Sequence, residues 1–244
     1  IMDNELTNGK KGNLPELLKK LRQEAVNTNA KWAKKLGIPV SAAITCVKPS
    51  GTVSQLTDSA SGIHARHNPY YIRTVRADKK DPLAKMMFDA GFPVEDDVTK
   101  PEHTYVFSFP VKGPAKGVYR KEMSAIDQLE IWKVYQENWC EHKPSVTVSV
   151  KENEWMNVGS WVYDNFDMMS GVSFLPMSDH TYRQAPYQDC TKVEYQELLK
   201  KMPVVDWSKL SEYENADMTS GSQELACVAG ACEIVDITST PVSA

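Results

Sequence analysis

Three stretches of this chain hold residue types that can do chemistry. The first is Lys48-Pro49-Ser50-Gly51-Thr52-Val53-Ser54. A strand that ends in a turn rich in Gly and hydroxyl residues presents successive backbone N–H groups at its C-terminal end, an arrangement that cradles an anion. Pro49 has no N–H, so the donors would be Ser50, Gly51, Thr52 and Val53. Gly51 lets the backbone approach a ligand closely, and the hydroxyls of Ser50, Thr52 and Ser54 add to the set. Phosphate is the natural guest. The local pattern by itself favours a plainer reading, a strand-to-helix turn with Ser or Thr as the cap. It is not the P-loop pattern, which needs a longer loop ending in Gly-Lys-Ser/Thr.

The second stretch is Cys227-Val-Ala-Gly-Ala-Cys232. Two thiols at this spacing, with small residues between them, can close a small disulfide loop. On a polar tether they suit thiol–disulfide exchange, which needs accessible sulfur and freedom to swing between partners. Incidental thiols, or half of a zinc site, are the alternatives. Zinc needs four ligands, and no second Cys pair or His cluster stands near in sequence. The third stretch, SASGIHARHNPYYIRTVR at 59–76, mixes His64, His67, Arg66, Arg73 and Arg76 with Tyr70 and Tyr71. It could bind an anionic or aromatic ligand, or it is a loop leading into an exposed strand.

The remaining candidates read as structural. Cys46 lies in an apolar run and reads as a small core residue. Cys140 and His142 are close in sequence, but two ligands do not make a metal site. Cys190 reads as incidental, and His103, His142 and His180 are single histidines.

Periodicity supplies the elements that must position these groups. Residues Leu14–Leu36 repeat apolar positions at helical spacing, with Pro15 in the first turn and Gly37 and Pro39 at the stop. The run VSAAITCVK at 40–48 predicts a strand buried on both faces, leading straight into the phosphate-type turn. Helices are expected at 81–90, 124–140, 155–166 and 193–202, with Ile126, Leu129, Trp132, Val134 and Tyr135 as the inner face of the second. Strands are expected at 105–111, 145–150 and 171–175. Alternation of strands and helices implies a parallel or mixed sheet with crossover helices. About four strands are few for such a length, so the reading has the sheet completed by residues upstream of Ile1. From residue 215 the composition turns small and polar, which reads as a mobile tail. Two domains are therefore expected, 1–214 and 215–244.

The bulk numbers bound the function classes. With 244 residues, 41% hydrophobic and 25% charged, the chain has the composition of an ordinary globular protein. Its net charge of −4 offers no footprint for duplex nucleic acid, although a nucleotide remains a fitting ligand. No apolar run approaches the roughly 20 residues of a membrane helix, and no signal segment opens the chain. Five cysteines, an odd number, argue for reduced thiols and a cytoplasmic setting. The first residue is Ile1 and the opening is polar and turn-rich, which reads as a chain that begins inside a larger protein.

Taken together, the segments resemble a family. ITCVKPSGTVSQL resembles the substrate phosphate loop of ribonucleotide reductase large chains. GIHARHNPYYIRTVRADKKDPL, KPSVTVSV, GVSFLPMSDHTYRQAPYQ and the ending ELACVAGACEIVDI resemble the single-chain, adenosylcobalamin-dependent type. The resemblance runs from the first helix to about Asp236 and suggests a C-terminal portion of such an enzyme. It implies an α/β fold, with this chain supplying the later strands of a ten-stranded α/β barrel. It implies reduction of ribonucleoside triphosphates to 2′-deoxyribonucleotides by thiyl-radical chemistry, a reaction of the EC 1.17.4 type, with adenosylcobalamin bound by the complete enzyme. By motif position, Pro49, Ser50, Gly51, Thr52 and Val53 would hold the substrate phosphates. Cys227 and Cys232 would be the redox-active tail pair, re-reduced by thioredoxin or a similar protein. The Asn-Pro-Cys setting of the family's radical cysteine occurs nowhere in the sequence, so this stretch alone is expected to be inactive. Three alternatives stand beside this reading. One is the large chain of a reductase with a separate metal-radical subunit, one a non-catalytic phosphate-binding remnant, and one a free-standing thiol oxidoreductase.

Overall fold

The computed structural model describes residues 1–48, 50, 53–177 and 182–214. In chain order its elements are α1 (Leu14–Leu36), α2 (Val53–Leu56), β1 (Tyr70–Asp78), α3 (Pro82–Asp89), β2 (Val94–Asp96) and β3 (Thr104–Lys112). They continue with α4 (Ala125–Asn138), β4 (Thr147–Val150), α5 (Trp155–Asp164), β5 (Ser173–Pro176), β6 (Tyr187–Asp189), α6 (Lys192–Lys200) and α7 (Leu210–Tyr213). The chain divides into two units, 1–69 with 112–181, and 70–111 with 182–244. Among the described residues no helix is long and apolar enough to cross a membrane.

The first unit is built on α4. Ser124 caps it in a capping box with Asp127, each satisfying a backbone N–H of the other's residue. Its inner face buries Leu129, Trp132 and Tyr135, and the Trp132 indole N–H donates to the Pro144 carbonyl at 2.8 Å. Ile126 and Val134, expected on the same face, are partly buried against that core. Helix α1 packs along α4. It begins at Asn13, whose side chain accepts from the Glu16 N–H, and ends at the left-handed Gly37. Strands β4 and β5 pair in parallel, Thr147 opposite Ser173 through Val150 opposite Pro176. Helix α5 forms the crossover between them, as parallel pairing requires. Val148 and Val150 are fully buried in one cluster with Leu14, Leu18, Val47, Ile63 and Trp161.

The second unit carries a four-stranded sheet in the order β2-β3-β1-β6. The β2–β3 and β1–β6 pairs are antiparallel. Its core gathers Ala84, Phe92 and Phe107, and the Asp81 carboxylate caps α3 by accepting from the Leu83 and Ala84 N–H groups. A polar knot closes the sheet end. Asp97 accepts from the Thr99 hydroxyl and N–H, from the Lys100 N–H and from Arg76. Burial opposes its charge, yet these donors hold its carboxyl well below the usual range.

The structure is mixed helix and sheet, as the alternation implied, and the expected helices at 14–36, 81–90, 124–140, 155–166 and 193–202 all form, within a few residues at their ends. Three expectations need correction. Residues 40–48 form no strand. Only Thr45 and Val47 are buried there, and their carbonyls accept from Glu141 and Ser145 in an irregular loop, so no ladder develops. Cys46, between them, is exposed and is no core residue. The 59–76 stretch does lead into a strand, β1, as one of its two readings had it, but β1 is partly buried rather than exposed, and the described residues contain six strands where about four were expected.

Candidate phosphate-binding turn

The segment 40–48 is held ahead of its turn by anchors just past the C-terminal end of α4. The Glu141 carboxylate accepts from the N–H groups of Ile44 and Thr45, and those bonds, more than its contact with Arg22, keep it ionised below the usual carboxylate range. The Trp139 indole N–H donates to the Cys46 carbonyl at 2.9 Å. Gly62 packs from the other side. Its φ of +54° favours glycine, and a Cβ there would stand a tight 3.3 Å from Val47 Cγ1 and in ordinary contact, 3.5 Å, with the Lys48 carbonyl oxygen.

Of the five expected phosphate contacts, Ser50 and Val53 lie among the described residues, whereas Pro49, Gly51 and Thr52 lie outside them, as do Cys227 and Cys232. Ser50 caps α2. Its hydroxyl oxygen accepts from the Ser54 N–H at 2.7 Å, and the Ser54 hydroxyl donates to the Ser50 carbonyl at 2.8 Å. The Ser50 N–H donates to the Ser61 hydroxyl oxygen at 2.7 Å. Val53, the first residue of α2, is exposed.

The turn at Ser61–His64 is itself tied to the core. His64 Nδ1 lies 2.9 Å from the Ser61 carbonyl, and His64 Nε2 accepts from the Thr147 N–H at 3.0 Å, where β4 begins. That pairing requires a neutral ring with its proton on Nδ1. Burial also lowers the imidazole's affinity for a second proton. Buried Gln128 of α4 donates to the carbonyls of both Ile63 and Thr147.

The three arginines of the 59–76 stretch are engaged within the fold. Arg66 is buried between Asp3, in bidentate contact, and Asp58. Despite its burial, the two carboxylates raise its pKa further. Its backbone bridges to Val118 and Arg120. Arg73 stacks on the Tyr187 ring at 4.4 Å and donates to the Pro186 carbonyl. Arg76 pairs with Asp97 and Gln184. The Arg66–Asp3–Asp58 group and the Glu141 anchor carry no local pattern: Asp3 and Glu141 lie 63 and 96 residues from the groups they hold, and Asp58, eight residues before Arg66, sits in no recognisable motif. Cys140 is buried and its thiol is pushed up to about 11 by that burial. Burial beside Glu194 and Asp189 raises Cys190 as well. Neither is set up as a thiolate nucleophile.

No family profile matches the chain. A curated relative from Dictyostelium discoideum, named as a probable adenosylcobalamin-dependent ribonucleoside-triphosphate reductase, is 30% identical over 213 residues, covering 84% of this chain and 27% of the relative. The adenosylcobalamin-dependent ribonucleoside-triphosphate reductase of Euglena gracilis is 28% identical over 75% of this chain and 25% of its own length. A crystal structure of a B12-dependent (class II) ribonucleotide reductase superposes with a TM-score of 0.70 at 22% identity, over 84% of this chain and 29% of that one. The chain thus spans about a quarter of the length of the curated relatives it matches. In sequence the chain is similar to a stretch of these adenosylcobalamin-dependent reductases, and in fold to a stretch of the class II enzyme.

Proposed function

We propose that this chain is the C-terminal portion of an adenosylcobalamin-dependent ribonucleoside-triphosphate reductase, contributing the substrate phosphate loop and the tail dithiol to a ten-stranded α/β barrel in a cytoplasmic enzyme. The observation that carries the reading is the likeness to such reductases along 84% of the chain, with the phosphate-type turn inside it. Within that turn the Ser50 N–H already points at an oxygen acceptor, the geometry a phosphate oxygen would use. On this reading Pro49, Ser50, Gly51, Thr52 and Val53 line the triphosphate, with backbone N–H groups as donors.

Cys227 and Cys232 act on the reductive side. A thiolate of the pair attacks the active-site disulfide left by each turnover. The second thiol then resolves the mixed disulfide, so that two electrons pass inward and the tail is left oxidised. Thioredoxin or a similar dithiol protein reduces the tail again. Adenosylcobalamin, when bound by the complete enzyme, supplies the initiating radical. The described residues, among which no group of three His, Cys, Asp or Glu could hold a metal ion, are assigned no part in holding it. The names of the relatives support this cofactor over a separate metal-radical subunit.

The test uses the complete parent chain without any second subunit, assayed for ribonucleotide reduction with adenosylcobalamin and a thioredoxin system. Turnover is expected. The double change Cys227→Ser, Cys232→Ser should stop thioredoxin-driven cycling while leaving a first turnover intact. A chain inactive until another subunit is supplied would instead support the two-subunit reading, and a fully active double variant would remove the tail from the electron path.

A further inference from the structure

We propose that Ser61 and His64 are positioning residues for the phosphate turn, with Ser61 setting the direction of the Ser50 amide and His64 fixing Ser61 to the core. The inference rests on the phosphate-loop reading and adds two residues to it.

The Ser50 N–H is bonded at 2.7 Å to a side chain eleven residues on, rather than to its own helix turn. An amide that must meet a phosphate oxygen needs its direction fixed beforehand, since a misaligned donor loses most of its worth. The hydroxyl that fixes it sits in a turn with little freedom of its own. Gly62 lies against Val47 and the Lys48 carbonyl. Gln128 holds the Ile63 carbonyl from α4. His64 occupies the N–H of Thr147, the first residue of β4, and its other ring nitrogen meets the Ser61 carbonyl. The imidazole thus bridges the first strand of the parallel pair and the residue that aims the amide. Ser61 can play this part because its oxygen accepts from Ser50 and still has a proton to give. When a phosphate oxygen arrives it shares the Ser50 amide, whose direction Ser61 has already set.

Binding of a radiolabelled ribonucleoside triphosphate to the complete reductase chain, measured by equilibrium dialysis with the parent nucleoside as competitor, tests this without any need for turnover. Ser61→Ala should weaken triphosphate binding about three- to tenfold, the net worth of one hydrogen bond, and leave nucleoside competition unchanged. Ser61→Thr, which keeps the hydroxyl, should stay within about twofold of wild type. His64→Phe should match Ser61→Ala. His64→Gln, which can still accept from Thr147, should restore binding, and this separates aim from mere folding. If wild type binds and Ser61→Ala binds equally or more tightly, the positioning role is overturned while the phosphate loop stands. Equal weakening of nucleoside and triphosphate would also overturn it. If wild type shows no binding that depends on the phosphates, the phosphate-loop reading fails and this inference fails with it.

Discussion

Two regions of the first unit are held together by different physics. The α4–β4 region is an apolar core. Leu129, Trp132, Val148 and Val150 are fully buried, and removing that surface from water is the main term. Among the described residues from Ile44 to Arg66, Ile63 is the one fully buried large side chain. What orders it is polar: Glu141 on two amides, His64 on Thr147, Ser61 on Ser50, and Arg66 between Asp3 and Asp58. The apolar core orders the elements around the turn, and a polar contact, Ser61 on the Ser50 N–H, orders the turn's own described amide. A site that must bind an anion benefits from the second kind of order, because hydrogen bonds are directional and apolar contacts are not.

The contrast can be broken in graded steps. Trp132→Ala removes the largest fully buried side chain and the donor to Pro144, and should lower stability by about 3–5 kcal/mol in urea unfolding. A loss under about 1 kcal/mol would mean the core is not where stability resides. Arg66→Met leaves Asp3 without its guanidinium, with only the Ala60 N–H, among the described residues, still donating to it. It should cost about 2–3 kcal/mol, at the low end for a broken buried pair because Asp58 is exposed. The same variant should raise amide exchange between residues 57 and 66 while leaving α4 protected. Uniform exchange across both regions would erase the distinction drawn here. Ser124→Ala removes one half of the α4 capping box and should cost about 1 kcal/mol, read as a lower thermal midpoint with unchanged nucleotide binding.

The smallest effect is one of pH. His64 has a folded-state pKa held below its ordinary 6.5, first by burial. Below that ordinary value the unfolded chain takes up the proton first, so the stability tied to neutral His64 is present above it and is lost as pH falls. Comparison of wild type with His64→Gln from neutral to about pH 5 should show the wild type losing more. Parallel slopes would show that the imidazole is not held in its neutral form.

The same contrast explains what could be read from the sequence. Helices α1, α3 and α4 announce themselves through 3.6-residue periodicity and through Asn13, Asp81 and Ser124 at their caps. The order βαβ around α5 follows from a β-branched run, SVTVSV, and a short apolar one, GVSFL, flanking a helical one. Residues 40–48 misled because composition reports burial preference, not the presence of a pairing partner. Here the facing segment is a loop containing Pro144, which has no N–H to give, and the run stays unladdered with Cys46 in solvent. The Gly and hydroxyl residues of the turn after it are legible as a pattern that suits an anion or a plain helix start alike. The turn's supports are not. Glu141, Thr147 and Asp3 are 96, 83 and 63 residues from the groups they hold, and a single sequence gives no means of pairing them.

One further feature bears on how such a chain can change over time. The backbone leaves the first unit after Pro69 and returns at Lys112, and the Gly113 N–H donates to the Pro69 carbonyl at 2.9 Å. Exit and return are therefore stitched together at the neck. For the first unit, whatever lies between is an excursion whose length is nearly free, since doubling a loop adds only about 0.6 kcal/mol of closure entropy. The neck is the opposite. A side chain at Gly113 would meet the Tyr119 hydroxyl at 2.6 Å. Insertions and deletions across 70–111 should leave the fold of the first unit standing, and single substitutions at the stitch should not.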